Sequence, residues 1–147
     1  MGAIEKLIEA KEQRSSKVAA LEQKKEGKDI AGLYAKLDEF AKGGYDSIPE
    51  EDKEFFLKSF GIFDRPATPE RFMIRVRVPG GSLNATQAEA IANAAIKYGK
   101  DYIDITTRMQ IELRYLAIED IPTLLRELES VGITTYQTGI DNFRNIL

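Results

Sequence analysis

The chain contains no cysteine, no histidine and no tryptophan. Without cysteine it forms no protein disulfide, offers no thiolate to a metal and has no cysteine nucleophile; without histidine it lacks imidazole ligation and imidazole acid–base chemistry. Any redox or metal chemistry in which it takes part must draw its ligands from elsewhere. No run of about 18 apolar residues occurs, and the start Met1-Gly-Ala-Ile-Glu-Lys6 lacks the apolar stretch of a signal peptide. Gly2 stands where a myristoylation signal has glycine, but Lys6 occupies the position at which that signal has Ser or Thr. The expectation is a cytoplasmic chain without membrane attachment. The formal net charge is only −3, too little of either sign to point to nucleic acid or an anionic membrane.

What is present fits one modest core plus an appendage: 147 residues, 43% of them hydrophobic. Residues 1 to 28 are rich in Lys, Glu, Ala and Gln, with Ile4, Leu7, Ile8, Val18 and Leu21 thinly spread, which predicts an exposed helix with little to bury. Ile30, Leu33, Tyr34, Leu37 and Phe40 follow at helical spacing until Gly43-Gly44. Ser47-Ile-Pro49-Glu50 has the pattern of a capping box and opens a short helix that Gly61 closes. Arg65-Pro-Ala-Thr-Pro69 predicts a stiff linker, because each proline fixes its own φ and disfavours helix in the residue before it. The expected division is therefore a helical extension, residues 1–69, and a second domain, residues 70–147.

Beyond the linker the hydrophobic period changes from 3.6 to 2. Phe72, Ile74, Val76 and Val78 alternate with Met73, Arg75 and Arg77, and Pro79-Gly-Gly81 ends the strand. Asn84 and Gln87 cap a helix that runs to Gly99; strands are expected at 102–106 and 110–116; Asp120 and Pro122 open a helix ended by Gly132; residues 133–137 supply a last strand. The order β-α-β-β-α-β is the α+β, ferredoxin-like split arrangement, an antiparallel sheet with helices on one face. If the apolar alternation faces the helices, Arg75, Arg77, Glu112 and Arg114 share the other face, while Ile111, Leu113 and Tyr115 point inward.

Charged residues alternating on a strand are ordinarily its solvated face. Arg75 leads into a glycine turn whose backbone amides could cradle an anion, Arg108 lies in a tight strand connection, and Arg144 would by composition alone be a tail residue. Many unrelated functions use this architecture, so the fold by itself discriminates little.

The segments Phe72-Met-Ile-Arg-Val-Arg-Val-Pro-Gly-Gly81, Thr106-Thr-Arg108 and Asp141-Asn-Phe-Arg-Asn145, in that order, resemble the siroheme-dependent sulfite and nitrite reductases, over about residues 30 to 147. The resemblance implies a ferredoxin-like half-domain of an enzyme that reduces sulfite to sulfide or nitrite to ammonia with six electrons, at a siroheme joined to a 4Fe–4S cluster. It assigns Arg75 and Arg144 to the substrate oxyanion and Arg108 to siroheme carboxylates, with Arg77, Gln110 and Arg114 as further cofactor contacts. Arginine suits both tasks, because a permanently charged fork pairs with carboxylates and stabilises developing negative charge. Met109 stands where the family commonly has glutamine.

The family's cluster cysteines and active-site lysines lie beyond the Asn-Arg-Asn signature. The expectation is thus an N-terminal fragment, colourless and inactive alone, that pairs with a C-terminal half-domain and catalytic domains, takes electrons from ferredoxin or a flavoprotein, and self-associates when isolated. Two other readings use the same scaffold. A regulatory module that binds a small ligand leaves the three motifs unexplained, and an RNA-binding module needs exposed aromatics on its central strands, where this chain has Arg and Glu.

Overall fold

The computed structural model describes residues 2–12 and 32–139, together with isolated positions between them. The chain divides into two units, Met1–Ile30 and Ala31–Leu147. In the first, helix α1 (Ala3–Glu12) begins where Glu5 accepts a hydrogen bond from the Gly2 amide at 2.7 Å, and its Ile4 and Ile8 are exposed.

In the second unit, α2 spans Leu33–Gly43 and ends where Gly44 turns to φ 77°, its amide donating to the Phe40 carbonyl. Ser47 does not cap the next helix: its hydroxyl donates to the Gly44 carbonyl at 2.7 Å and closes a 3-10 turn over Tyr45–Ser47. The Pro49 carbonyl instead accepts the amides of Asp52 and Lys53, and helix α3 follows as a π-helical Asp52–Phe56 and an α-helical Leu57–Ser59. Strand β1 (Ile62–Asp64) comes directly after Gly61. Strand β2 is Phe72–Val76, α4 is Ala85–Tyr98, β3 is Ile103–Ile105, β4 is Ile111–Leu116 and α5 is Ile121–Ser130. Asn84 and Gln87 form the reciprocal cap expected of them, at 2.9 and 3.2 Å.

The sheet is antiparallel in the order β1-β2-β4-β3, so β2 and β4 are the central neighbours. The protein is α+β with the ferredoxin-like half-domain architecture. Phe72, Ile74, Val76, Leu113 and Leu116 form one core with Ile91 and Ala95 of α4 and Ile121, Leu124 and Leu128 of α5.

Three further expectations change. The fourth strand is Ile62–Asp64, because this segment occupies the edge of β2 opposite residues 72–74; residues 133–137 run beside the remainder. There the Arg77 amide donates to the Thr134 carbonyl, after which Gln137 turns at φ 55° and its amide donates to Ser59. Second, the division falls near Ile30 and not at the 65–69 linker, because Leu37, Phe40, Phe56, Leu57, Phe60 and Ile62 enter the same core as Ile74 and Leu113. Third, β4 carries one extra residue relative to β2 between Leu113 and Leu116. This bulge, with Tyr115 at φ 63°, takes Tyr115 off the core face and puts the fully buried Leu116 there.

Candidate functional site

Alternation places Arg75 beside Glu112 in direct register across β2 and β4, and Asp104 of β3 stands opposite Glu112 on its other side. The three make a transverse row on the face away from α4 and α5, and Arg114 lies two residues further along β4. The side chains lock together. Arg75 donates to Glu112 Oε1 from Nε at 3.2 Å and from Nη2 at 2.8 Å, while Arg114 Nη2 donates to Glu112 Oε2 at 2.8 Å and its Nε to Asp104. The Arg75 guanidinium also lies 4.9 Å from the centre of the Phe63 ring. The Glu112 side chain is 9% exposed and those of both arginines 30%.

Burial alone would lower the pKa of Arg114, but the hydrogen bond to Asp104 and the charges of Asp104 and Glu112 outweigh it and raise the value. A cleft of about 260 Å3 opens beside this group, lined among others by Arg65, Met73, Tyr102, Asp104, Arg114 and Tyr115. The rings of Tyr102 and Tyr115 meet edge to face, 6.2 Å apart.

Arg77 belongs to a different contact. Its Nη2 donates to the Gln137 carbonyl at 2.7 Å, and Arg75 Nη1 reaches the Thr138 carbonyl at 3.4 Å, so Arg75 of β2 and Arg77 just beyond it both hold the Gln137–Thr138 segment. Thr138 Oγ1 returns a bond to the Arg75 carbonyl at 2.9 Å. Gly61 makes this approach possible. Its φ is 71°, and a Cβ there would lie 2.1 Å from Thr138 Oγ1.

Arg108 sits in the loop between β3 and β4. Thr106 organises that loop: its hydroxyl accepts the amides of Arg108 at 3.3 Å and Gln110 at 3.0 Å, and its own amide donates to the Gln110 carbonyl at 2.8 Å. Met109 completes the turn at φ 54° and packs on Gly81, where an added Cβ would lie 2.4 Å from its sulfur. The loops carrying Arg108 and Pro79-Gly-Gly81 therefore meet at one end of the sheet. The glycine turn is not an open anion cradle, because the amides of Gly81 and Ser82 already donate to Val78 and Pro79. Gln110 is 7% exposed and serves the hairpin through its backbone. Arg144 lies outside the described residues.

Charge pairing is the part of this site that alternation did not reveal. Asp104 went unnoticed as a partner, although Ile103-Asp104-Ile105 repeats with period two. No group of three or more His, Cys, Asp or Glu side chains among the described residues could hold a metal ion. No described helix is long and apolar enough to cross a membrane.

The described residues thus make an α+β half-domain with paired arginines on the sheet face opposite α4 and α5. Residues 65–131 match the family model of the nitrite/sulfite reductase ferredoxin-like half domain, and this stretch is a half-domain of that kind. The chain is 43% identical over 133 residues to a ferredoxin–nitrite reductase of Synechococcus elongatus, spanning 90% of this chain and 26% of that protein. An assimilatory ferredoxin-dependent nitrite reductase of Haloferax mediterranei is 36% identical, over 75% of this chain and 21% of its own length. Among solved structures, the Mycobacterium tuberculosis NirA protein shares the fold at a TM-score of 0.74 and 24% identity, covering 87% of this chain and 27% of that one. The chain thus spans about a quarter of the relatives it matches.

Proposed function

We propose that the chain is one part of a siroheme-dependent nitrite reductase that receives electrons from ferredoxin, with Arg75 and Arg144 meeting the oxyanion. The row of Arg75, Glu112 and Arg114 carries the reading: a central-strand guanidinium held by a carboxylate on the sheet face opposite α4 and α5. Ferredoxin and nitrite, in preference to a flavoprotein and sulfite, are supported by the likeness to the ferredoxin-dependent nitrite reductases of Synechococcus elongatus and Haloferax mediterranei.

Reduction of nitrite to ammonium consumes six electrons and eight protons and releases both oxygens as water. Fixed positive charge beside the departing oxygens lowers the barrier most when it needs no rearrangement during the reaction. A guanidinium anchored at Nε and Nη2 meets that demand, since its position is set before the anion arrives.

Siroheme, when bound, supplies the iron at which the oxyanion is reduced. The donor set fits its carboxylates, because Arg77, Arg108 and Arg114 present forked cationic donors whose geometry matches a carboxylate. Of these, Arg114 already shares its charge with Asp104 and Glu112. With no cysteine or histidine in the chain, ligands for a 4Fe–4S cluster would come from other segments. The edge strand β3 leaves Ile103 and Ile105 exposed beside Ile96 and Tyr102, which supports pairing with a second half-domain or, in isolation, with another copy.

The test is a chimaera in which this chain replaces the matching quarter of the Synechococcus elongatus enzyme. Siroheme absorbance together with ferredoxin-driven ammonium formation is the expected result. A chimaera that loads siroheme yet reduces neither nitrite nor sulfite contradicts the reading. The 147-residue chain alone is expected to be colourless, and a siroheme spectrum from it would show that the cofactor needs no other segment.

A further inference from the structure

The carboxylate of Glu112 touches no reacting atom in the reading above, yet it is among the few buried charged groups of the sheet. Its two oxygens serve different arginines: Oε1 accepts both Nε and Nη2 of Arg75, and Oε2 accepts Arg114, which Asp104 holds from the far side. Arg75 and Glu112 face each other in the β2–β4 ladder, so the backbone sets the geometry. Two of the three Arg75 nitrogens are thereby occupied. Only Nη1 keeps a single long bond, 3.4 Å to the Thr138 carbonyl.

We propose that Glu112 is the positioning residue for Arg75, fixing its guanidinium so that Nη1 is the corner presented to the substrate oxyanion. The proposal rests on the reading of Arg75 as an oxyanion contact. Without the carboxylate, Arg75 regains the rotamer freedom of a long side chain, and it and Arg114 lose their shared counter-charge and repel. Outer partners that orient metal-bound ligands typically change activity about 10–100-fold when removed, and the same scale is expected for a carboxylate that orients Arg75.

Two measurements test this. In the 147-residue chain, the Arg75 Nε–H resonance should be slow to exchange with solvent and should become fast in Glu112→Ala while the backbone spectrum persists. In the siroheme-loaded reductase carrying this segment, Glu112→Ala should lower kcat/KM for nitrite about 10–100-fold at unchanged siroheme absorbance. Glu112→Gln, which keeps the shape and one acceptor, should recover part of the loss.

Wild-type kcat/KM in Glu112→Ala, beside an inert Arg75→Ala, overturns the positioning role and leaves the oxyanion reading intact. Full turnover in both variants overturns both. Loss of siroheme and activity together in Glu112→Ala, with no recovery in Glu112→Gln, makes Glu112 a structural group and also overturns the proposal.

Discussion

The two faces of this sheet are cut from the same alternating strands and solve opposite problems. On one, Phe72, Ile74, Val76, Leu113 and Leu116 are fully buried against α4 and α5. On the other, Arg75, Glu112, Arg114 and Asp104 exchange hydrogen bonds at the same strand positions displaced by one residue. Apolar contacts are non-directional and add up with area, so the first face sets stability. The arginines of the second face keep 30% of their side-chain surface exposed, so its ion pairs contribute less to stability than the apolar core and can be arranged for something else.

Breaking the apolar side should have the largest effect. Leu113→Ala is expected to cost about 2–5 kcal/mol, read as a fall in the urea midpoint at constant slope. For a unit of this size that can remove most of the stability. Gly61→Ala should follow at roughly 1–3 kcal/mol, because the new Cβ meets the Thr135 carbonyl at 2.6 Å and Thr138 Oγ1 at 2.1 Å while φ stays at 71°. Its signature is faster amide exchange at Arg77 and Gln137, whose bonds hold that segment in place.

On the charged side, Asp104→Asn should change stability by no more than about 1 kcal/mol in the same denaturation assay, although it removes a carboxylate bonded to Arg114. A loss comparable to Leu113→Ala would erase the distinction between the faces. The smallest effect concerns the helix surface. The hydrogen bond from Lys97 holds the Glu127 carboxyl below its ordinary value, with Tyr98 adding to it. A carboxyl depressed on folding contributes stability above its unfolded pKa of about 4.3, and that contribution fades as pH falls through the folded value. Wild type should therefore lose slightly more stability than Glu127→Gln on acidification below about pH 4.

Much of this contrast could be read in the chain beforehand, and the reason is parity. A period of two assigns Arg75, Glu112 and Arg114 to one face whatever the neighbours do. Register is different, because it depends on partners that lie far apart in sequence. The Arg75–Glu112 pair, the role of Asp104 and the extra residue before Leu116 all come from how β2, β4 and β3 align. Local capping was legible where it depends on two residues, Asn84 and Gln87, and misread where Ser47 bonds backward to Gly44. Ile62-Phe-Asp64 escaped notice as a strand because three residues carry no period, and the stretch 133–137 had the composition of a strand but found its edge already taken. The motif around Arg144 was legible only through its likeness to a family and lies outside the described residues.

One measurement addresses the central claim most directly: nitrite turnover and siroheme absorbance followed together in the siroheme-loaded reductase carrying this segment, with Arg75→Ala. If the charged face is arranged for the oxyanion, turnover collapses while siroheme content and thermal midpoint stay near wild type. Turnover that survives, or siroheme and thermal midpoint that fall along with it, would contradict the account.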